Sequence, residues 1–595
     1  MRKRRIALLV LATAAISVAG VTSAFAGDND SGFKTSRPSM LTAVMNGASA
    51  TPLLTVGDTL NSGYRFESIP DGISLRTRGQ GRVDLYVNHE TAKVPFPFNR
   101  ANPTAANGEN DFDNAQVSQL ILNQHSAGTL NGSFVIPSSL GYQRFCSNYL
   151  ATAKEGFDRE IFFTNEESPD YVLRQTASWP PALDDPAQEE NGVVVALDVR
   201  TGQHKTIYGM GRHNHENNVA IPGYGHPVVF SGDDTFTSGS LTIPPGGPIP
   251  TPTTPTTRAA QSQLYAYNAP SADAVWNDEG DLWAFVADSP AGGGTVDDYY
   301  DFTPGSTMSV SGHFVKVPKN IATGHNADGS ELTAADVGYP APPTDGSWQR
   351  DLRSTSSPQI GIDGPQWVLE YWSQLNHVFQ FVRVEDIAYD KRPGSGNIVY
   401  IVDSGRGTAG ASQAGRSTNG RVWKMVLDPS DPTKVSSLSI LVEGDDNPVK
   451  TLGEIHQPDN VESTPNGLLV TEDPGSSQQF PAGSADPAAT TARLWYVPFS
   501  GALPQVVVKI DQSADGGSTD VDGRSAGNWG AWETTGIVDA SAAFGAGMFL
   551  INVQAHTLWV EKADGDDNYA PAGPDFTYKR EGGQLLLLKI PGTGT

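Results

Sequence analysis

One cysteine in 595 residues, Cys146, excludes an intramolecular disulfide and any Cys-rich zinc site. Its setting, GYQRFCSNYL, has no nucleophile elbow and no neighbouring base, so it reads as a buried thiol rather than a catalytic one. Charge is also scarce, at 18% of residues, and acids outnumber bases 66 to 40. The resulting formal net charge of −26 disfavours nucleic acid and anionic membranes as partners. A Gly-rich phosphate loop, a zinc-protease helix and a Gly-x-Ser-x-Gly elbow are all missing, which removes the common nucleotide-binding and serine-hydrolase readings. Long helical periodicities are few.

What is present is turn-rich: 63 Gly and 42 Pro punctuate short runs of Val, Ile, Leu, Trp and Tyr, including VDLYVNHE, EIFFTNEE, GVVVALDVRTG, PVVFSGDD, DLWAFVAD and GQLLLLKI. So many strand-like runs without helices between them predict an all-β fold. A weak internal repeat narrows the choice. NIVYIVDSGRG followed by GRVWKMVLDPSDP resembles GLLVTEDPG followed by ARLWYVPFSG, an apolar strand ending in an acidic turn and then an Arg-apolar-Trp strand. Such self-similarity is expected of propeller blades, and the reading is a β-propeller with long loop insertions. The Pro/Thr-rich stretch 239–262 is expected to be an extended or disordered surface insertion, and 321–365 is similarly loop-like.

Residues 1–26 combine a basic start, an apolar run and an Ala-Phe-Ala end, the layout of an export signal by a Sec or twin-arginine route. The run is too short for a bilayer span. Residues 27–595 are then expected to form a single propeller domain, secreted or extracytoplasmic, and monomeric.

Chemistry concentrates at strand ends. Met210–Asp234 reads as a site loop between two strands, carrying Arg212, His213, His215 and Glu216 and closing on Asp233 and Asp234. Glu90, Glu166, Glu167 and Glu385 end similar runs. In a propeller such ends converge on one mouth of the central channel, where carboxylates distant in sequence can share a cation. Arg383, two residues before Glu385, shares its face if that segment is extended, which adds an anion grip. Arg406 is a second anion-binding candidate. A separate calcium loop is suggested by Asp511, Ser513, Asp515 and Asp522, at the first, third, fifth and twelfth places of an EF-hand-type run.

YVNHET at 86–91, FFTNEES at 162–168, the Met210–Asp234 stretch, FVRVEDIAYD at 381–390 with IVYIVDSGRG, and PDNVESTPNGLLVTEDPG at 458–475 occur in the order found in the PhoX-type bacterial alkaline phosphatases. The chain resembles that family from about Thr42 onward. The resemblance implies a β-propeller that hydrolyses phosphate monoesters with calcium and iron. It also implies Arg383 as the phosphate contact and Glu216, Glu385, Asp459, Glu166 and Glu167 as metal ligands or members of ligand-bearing motifs. One departure stands out: Asn165 occupies the place of the family's iron-ligating Cys, and its amide oxygen suits Ca²⁺ better than iron. The expectation is therefore Ca²⁺ as cofactor, with Fe³⁺ in doubt, and a small phosphate ester as substrate. Two alternatives share the metal logic: a non-catalytic secreted calcium-binding propeller, and a calcium-dependent propeller hydrolase of phytase or lactonase type.

Overall fold

The computed structural model describes residues 31–593 apart from 93–113, 177–178, 236–239, 247–253, 259, 290–293, 355–359, 406–418, 446–451, 474–489, 513–531 and 562–575. Among the described residues the principal strands sort into six antiparallel blades of four strands each, with the short Leu41–Ala43 added at the outer edge of the fifth. From the innermost strand outward, the first blade comprises Pro70–Gly79, Arg82–His89, Gln116–Asn123 and Thr129–Ile136. The second comprises Phe145–Ala151, Ile161–Glu166, Val194–Asp198 and Gln203–Ile207. The third runs His215–Ala220, Val228–Asp233, Leu264–Asn268 and Asp281–Ala287, and the fourth Val384–Tyr389, Ile398–Asp403, Arg421–Asp428 and Asp431–Glu443. An extra strand, Ser309–Lys316, pairs with the outer strands of both and joins them into one nine-stranded sheet.

The fifth blade holds Pro458–Ser463, Gly467–Glu472, Arg493–Pro498 and Gln505–Ile510, and the sixth Glu533–Asp539, Met548–Glu561 and Phe576–Lys589. The sixth is completed by Ser49–Thr55 from the other end of the chain, paired antiparallel with Phe576–Lys589. This pairing closes the ring through hydrogen bonds, leaving no open first or last blade. The six innermost strands pack around the axis in order, and the first meets the last.

The hydrophobic cores lie between blades, because each sheet is apolar on the faces it turns to its neighbours. Tyr86 and Val117 of the first blade pack with Phe162, Val195 and Leu197 of the second. Tyr400, Val402 and Val422 of the fourth meet Val461, Val470 and Trp495 of the fifth. Leu550, Leu585 and Leu587 of the sixth cover Ile73, Leu85 and Leu120 of the first. Burying each such side chain is worth roughly 1.5–3 kcal/mol, so a blade without its neighbours would be unstable. The repeat read from sequence corresponds to the second and third strands of the fourth and fifth blades.

Two expectations need correction. Within 239–262, Leu241–Ile243 and Thr256–Arg258 are extended, as one of the two expected forms, but they pair as a hairpin and contribute to a packed core. Leu241 and Ile243 reach a satellite core with Trp348, Trp367 and Tyr371, which supplies the apolar burial that the Pro/Thr composition hid. The other correction concerns Met210–Asp234: His215–Ala220 is not a loop but the innermost strand of the third blade. Inner strands face the polar channel, so they lack the apolar runs by which strands are recognised. Among the described residues no helix is long and apolar enough to cross a membrane.

Candidate metal centre

The innermost strand of each blade slips register against its neighbour near its start, and in the first five blades the slip leaves the second residue outside the ladder. Such bulges re-aim side chains. The five residues at this place are Asp71, Cys146, Glu216, Glu385 and Asp459. In the sixth blade the slip falls between Thr535 and Val538, and the corresponding place is Gly536. Gly536 has φ +58°, and a Cβ there would lie 2.2 Å from the Asp71 carbonyl oxygen, so a side chain is excluded.

A second tier comes from the strand next to each inner one, which runs antiparallel and ends at the same mouth. The residues directly after it are Glu90, Glu167, Asp234 and Asp473 in the first, second, third and fifth blades, and Ser404 in the fourth. The two tiers interlock. Candidate ligand atoms lie within 4.8 Å of one another in the sets Asp71–Glu90–Cys146, Cys146–Glu167–Glu216, Glu167–Asp234–Glu385 and Glu216–Glu385–Asp459. These four overlapping sets form one continuous cluster of seven carboxylates and a thiol. All but Glu90 are buried, and Glu533 adds a further carboxyl beside Asp473.

Burial, with the charge of Glu385 and then Asp71, pushes the Glu216 carboxyl well above its usual range. Burial dominates at Glu167 and Asp459 too, followed in each by the charge of Glu216, and both carboxyls are pushed well above their usual range. Burial raises Glu385 likewise, against the opposing pull of Arg383. The Cys146 thiol is pushed up by burial and by Asp71. Acids this crowded retain protons unless cations stand between them.

Arg383 faces the cluster. Its Nε donates to Asp234 Oδ1 at 2.7 Å, and its Nη2 lies 3.3 Å from Glu385 Oε1. Asp234 and Glu385 are buried, whereas 22% of the Arg383 side chain remains exposed. Several hydroxyls and amides orient the acids. Ser404 donates to Glu385, and Ser147 Oγ donates to Glu216 Oε1 at 2.8 Å while accepting from Asn460 Nδ2 at 2.8 Å. Gln554 Nε2 donates to both Asp71 and Glu90, at 2.6 and 2.9 Å.

The structure thus brings Glu90, Glu167, Glu216, Glu385, Asp459 and Arg383 together at one mouth, and separates other candidates from it. Glu166 is held by both guanidinium nitrogens of Arg174, at 2.7 Å each, and by the backbone N–H groups of Gln143 and Gly192. Its oxygens have no capacity left for a cation. Asn165 is also committed: Nδ2 donates to the carbonyls of His215 and Glu216 at 2.7 and 2.8 Å, and Oδ1 accepts from Asn218 at 3.0 Å. It fastens the second blade to the third. The thiol lies instead at Cys146, on the next strand, where the sequence reading saw only a buried thiol.

Arg212 pairs with Glu331 at 2.9 Å, away from the cluster. The rings of His213 and His215 stack 3.5 Å apart against Tyr265 and Ser231, and burial drives both pKa values down. Arg406, Ser513, Asp515 and Asp522 lie outside the described residues, as do residues 1–26, and Asp511 follows the last strand of the fifth blade. Asp71 and Cys146 were missed in the sequence. Their signal is positional, since PDGISL, FCSNYL, HENNVA, VEDIAY and PDNVES all place a ligand-type residue second in an inner strand.

The donor set fits cations. The oxygen-rich groups suit Ca²⁺, and the Cys146 corner suits a transition ion.

No protein-family model and no curated protein matches the chain. Among solved structures it is similar to Pseudomonas fluorescens PhoX in complex with vanadate, a transition state analogue, at TM-score 0.50 and 14% identity over 95% of this chain and 100% of that one. The intramolecular trans-sialidase of Ruminococcus gnavus matches at TM-score 0.26 and 8% identity over 89% of this chain and 96% of that one. The likeness to PhoX concerns the fold, and with the strand order above it makes this chain a β-propeller.

Proposed function

We propose that the chain is a secreted, metal-dependent phosphatase acting on small phosphate monoesters. The observation that carries the reading is Arg383, a partly exposed guanidinium held by Asp234 and Glu385 at the edge of buried cation ligands. A planar fork beside cation-binding carboxylates matches a tetrahedral dianion, whose oxygens need both kinds of contact. The PhoX structure is in complex with vanadate, a transition state analogue, which supports the reading by analogy of fold.

Glu216, Glu385, Asp459, Glu167 and Asp234 would hold Ca²⁺, and Cys146 with Asp71 and Glu90 would hold a harder-working transition ion such as Fe³⁺. Bound there, the cations supply charge neutralisation and Lewis acidity to the phosphoryl group. Arg383 binds and orients that group, and its double contact with Asp234 and Glu385 fixes the plane of the fork. Ser147 and Ser404 hold the Glu216 and Glu385 carboxylates in place from behind. The burial of the surrounding acids keeps bulk water from screening these charges. No side-chain nucleophile is assigned.

The test is hydrolysis of p-nitrophenyl phosphate by purified protein, after metal removal and again after addition of Ca²⁺ with and without Fe³⁺. Metal-dependent turnover is expected. A protein that binds metal with high occupancy but never turns the substrate over would be the non-catalytic calcium-binding propeller instead.

A further inference from the structure

Asn214 is fully buried, and neither its Oδ1 nor its Nδ2 has a hydrogen-bond partner in the protein. Its place directly before the strand His215–Ala220 fixes where it faces. The backbone N–H of Asp234 donates to the Asn214 carbonyl at 2.8 Å, and the adjoining pair is His215 with Asp233, so Asn214 and Asp234 stand opposite one another. Opposed residues of an antiparallel pair share a face, with Cβ atoms about 5 Å apart. Alternation agrees. His213 and His215 stack together on one face, on the side of Asp233, while Glu216 and Asp234 belong to the ligand cluster on the other. Asn214 therefore sits on the cluster face, flanked by Glu216 along the strand and across it by the carboxylate that anchors Arg383.

A buried amide with both ends unsatisfied is costly in a folded protein, and such groups mark sites where an ordered ligand completes the bonding. The result does not depend on which way the amide is turned, since both atoms lack partners. An amide N–H requires an acceptor, and the neighbouring Asp234 carboxylate is engaged by Arg383. We infer that Asn214 is a substrate-contacting residue whose Nδ2 donates to a phosphoryl oxygen of the ester, beside the guanidinium of Arg383. The inference rests on the phosphatase reading above and adds to it a neutral donor that the cation and arginine contacts do not provide.

Isothermal titration of metal-loaded protein with inorganic phosphate, the expected product, tests it, with bound metal measured on the same samples. Asn214→Ala is expected to weaken phosphate binding by roughly tenfold or more, as loss of a hydrogen bond to a charged acceptor does, with metal content unchanged. Asn214→Asp, which keeps the shape but replaces the donor with an anion, is expected to weaken it further. Asn214→Ser serves in place of the alanine variant should that one fail to fold. Phosphate affinity within twofold of the unmodified protein overturns the assignment, and so does a loss of metal that accounts for the weakened binding. Unmodified protein that is metal-loaded yet binds no phosphate overturns the phosphatase reading itself, and the assignment with it.

Discussion

The thiol of Cys146 lies 3.2 Å from the Asp71 carboxylate, linking residues 75 positions apart on the innermost strands of adjacent blades. Both occupy the same bulged place in their strands. A thiol inside a ring of acids is deprotonated when a cation binds it, despite the burial that otherwise holds its proton. Cys146→Ser is therefore expected to remove a transition ion and the associated thiolate-to-metal absorption while most Ca²⁺ is retained. Metal analysis and a visible spectrum of the two proteins check this, and identical spectra would exclude the thiol as a ligand.

Asn165 has a different prediction. Because its amide satisfies two buried carbonyls of the neighbouring blade, Asn165→Cys should not add iron. It should instead destabilise the fold by about 1–3 kcal/mol, the range for leaving buried polar groups unpaired, measured by denaturant unfolding.

Glu166 gives a parallel test of structural against ligand roles. Glu166→Gln breaks the paired contact with Arg174 and leaves that guanidinium with Glu189 as its remaining acidic partner, at a cost of roughly 1–3 kcal/mol. Metal content per folded molecule should not change, whereas Glu216→Gln or Asp459→Asn should reduce it.

Arg383→Lys keeps the charge but cannot reproduce the fork between Asp234 and Glu385. The expected loss in kcat/KM for p-nitrophenyl phosphate is on the order of 10²-fold, with metal content retained. A variant as active as the unmodified protein would show that phosphate is held elsewhere.

The pH dependence of metal-free protein follows from the raised carboxyls. Burial lifts Asp71 to about 6 and lifts Glu216, Glu385 and Asp459 well above their ordinary range. A carboxyl whose folded pKa exceeds its unfolded value, ~4, contributes stability that is full below ~4 and lost as pH rises through the folded value. Chelated and dialysed protein should thus melt at a higher temperature near pH ~5 than near pH ~8. Restoring Ca²⁺ should raise the melting temperature most at the higher pH, where cations replace the departed protons. A melting temperature indifferent to both pH and metal would contradict the cluster's role.

The second and third strands of each blade were legible in the sequence because they are apolar and bounded by turns, as Ile398–Asp403 and Arg493–Pro498 show. Their repetition suggested a propeller. Glu90 and Glu167 were visible for the same reason, since each follows the end of an apolar strand, whereas Glu216 and Glu385, second in inner strands, stood out by their His and Arg neighbours. Arg383 could be placed beside Glu385 from the two-residue period of an extended chain.

What the sequence by itself determined, then, was the class of fold and the residues whose signal is local. Only the tertiary structure decided which acids share a space. Glu166 and Glu167 are adjacent, yet one faces Arg174 and the other the cluster, because neighbouring side chains at a strand end point to opposite sides. The exchange of roles between Asn165 and Cys146 has the same origin. Each sits on a strand of the second blade, and the bulge in Phe145–Ala151, set by blade packing rather than by any local motif, turns the thiol toward the acids while the amide fastens the next blade.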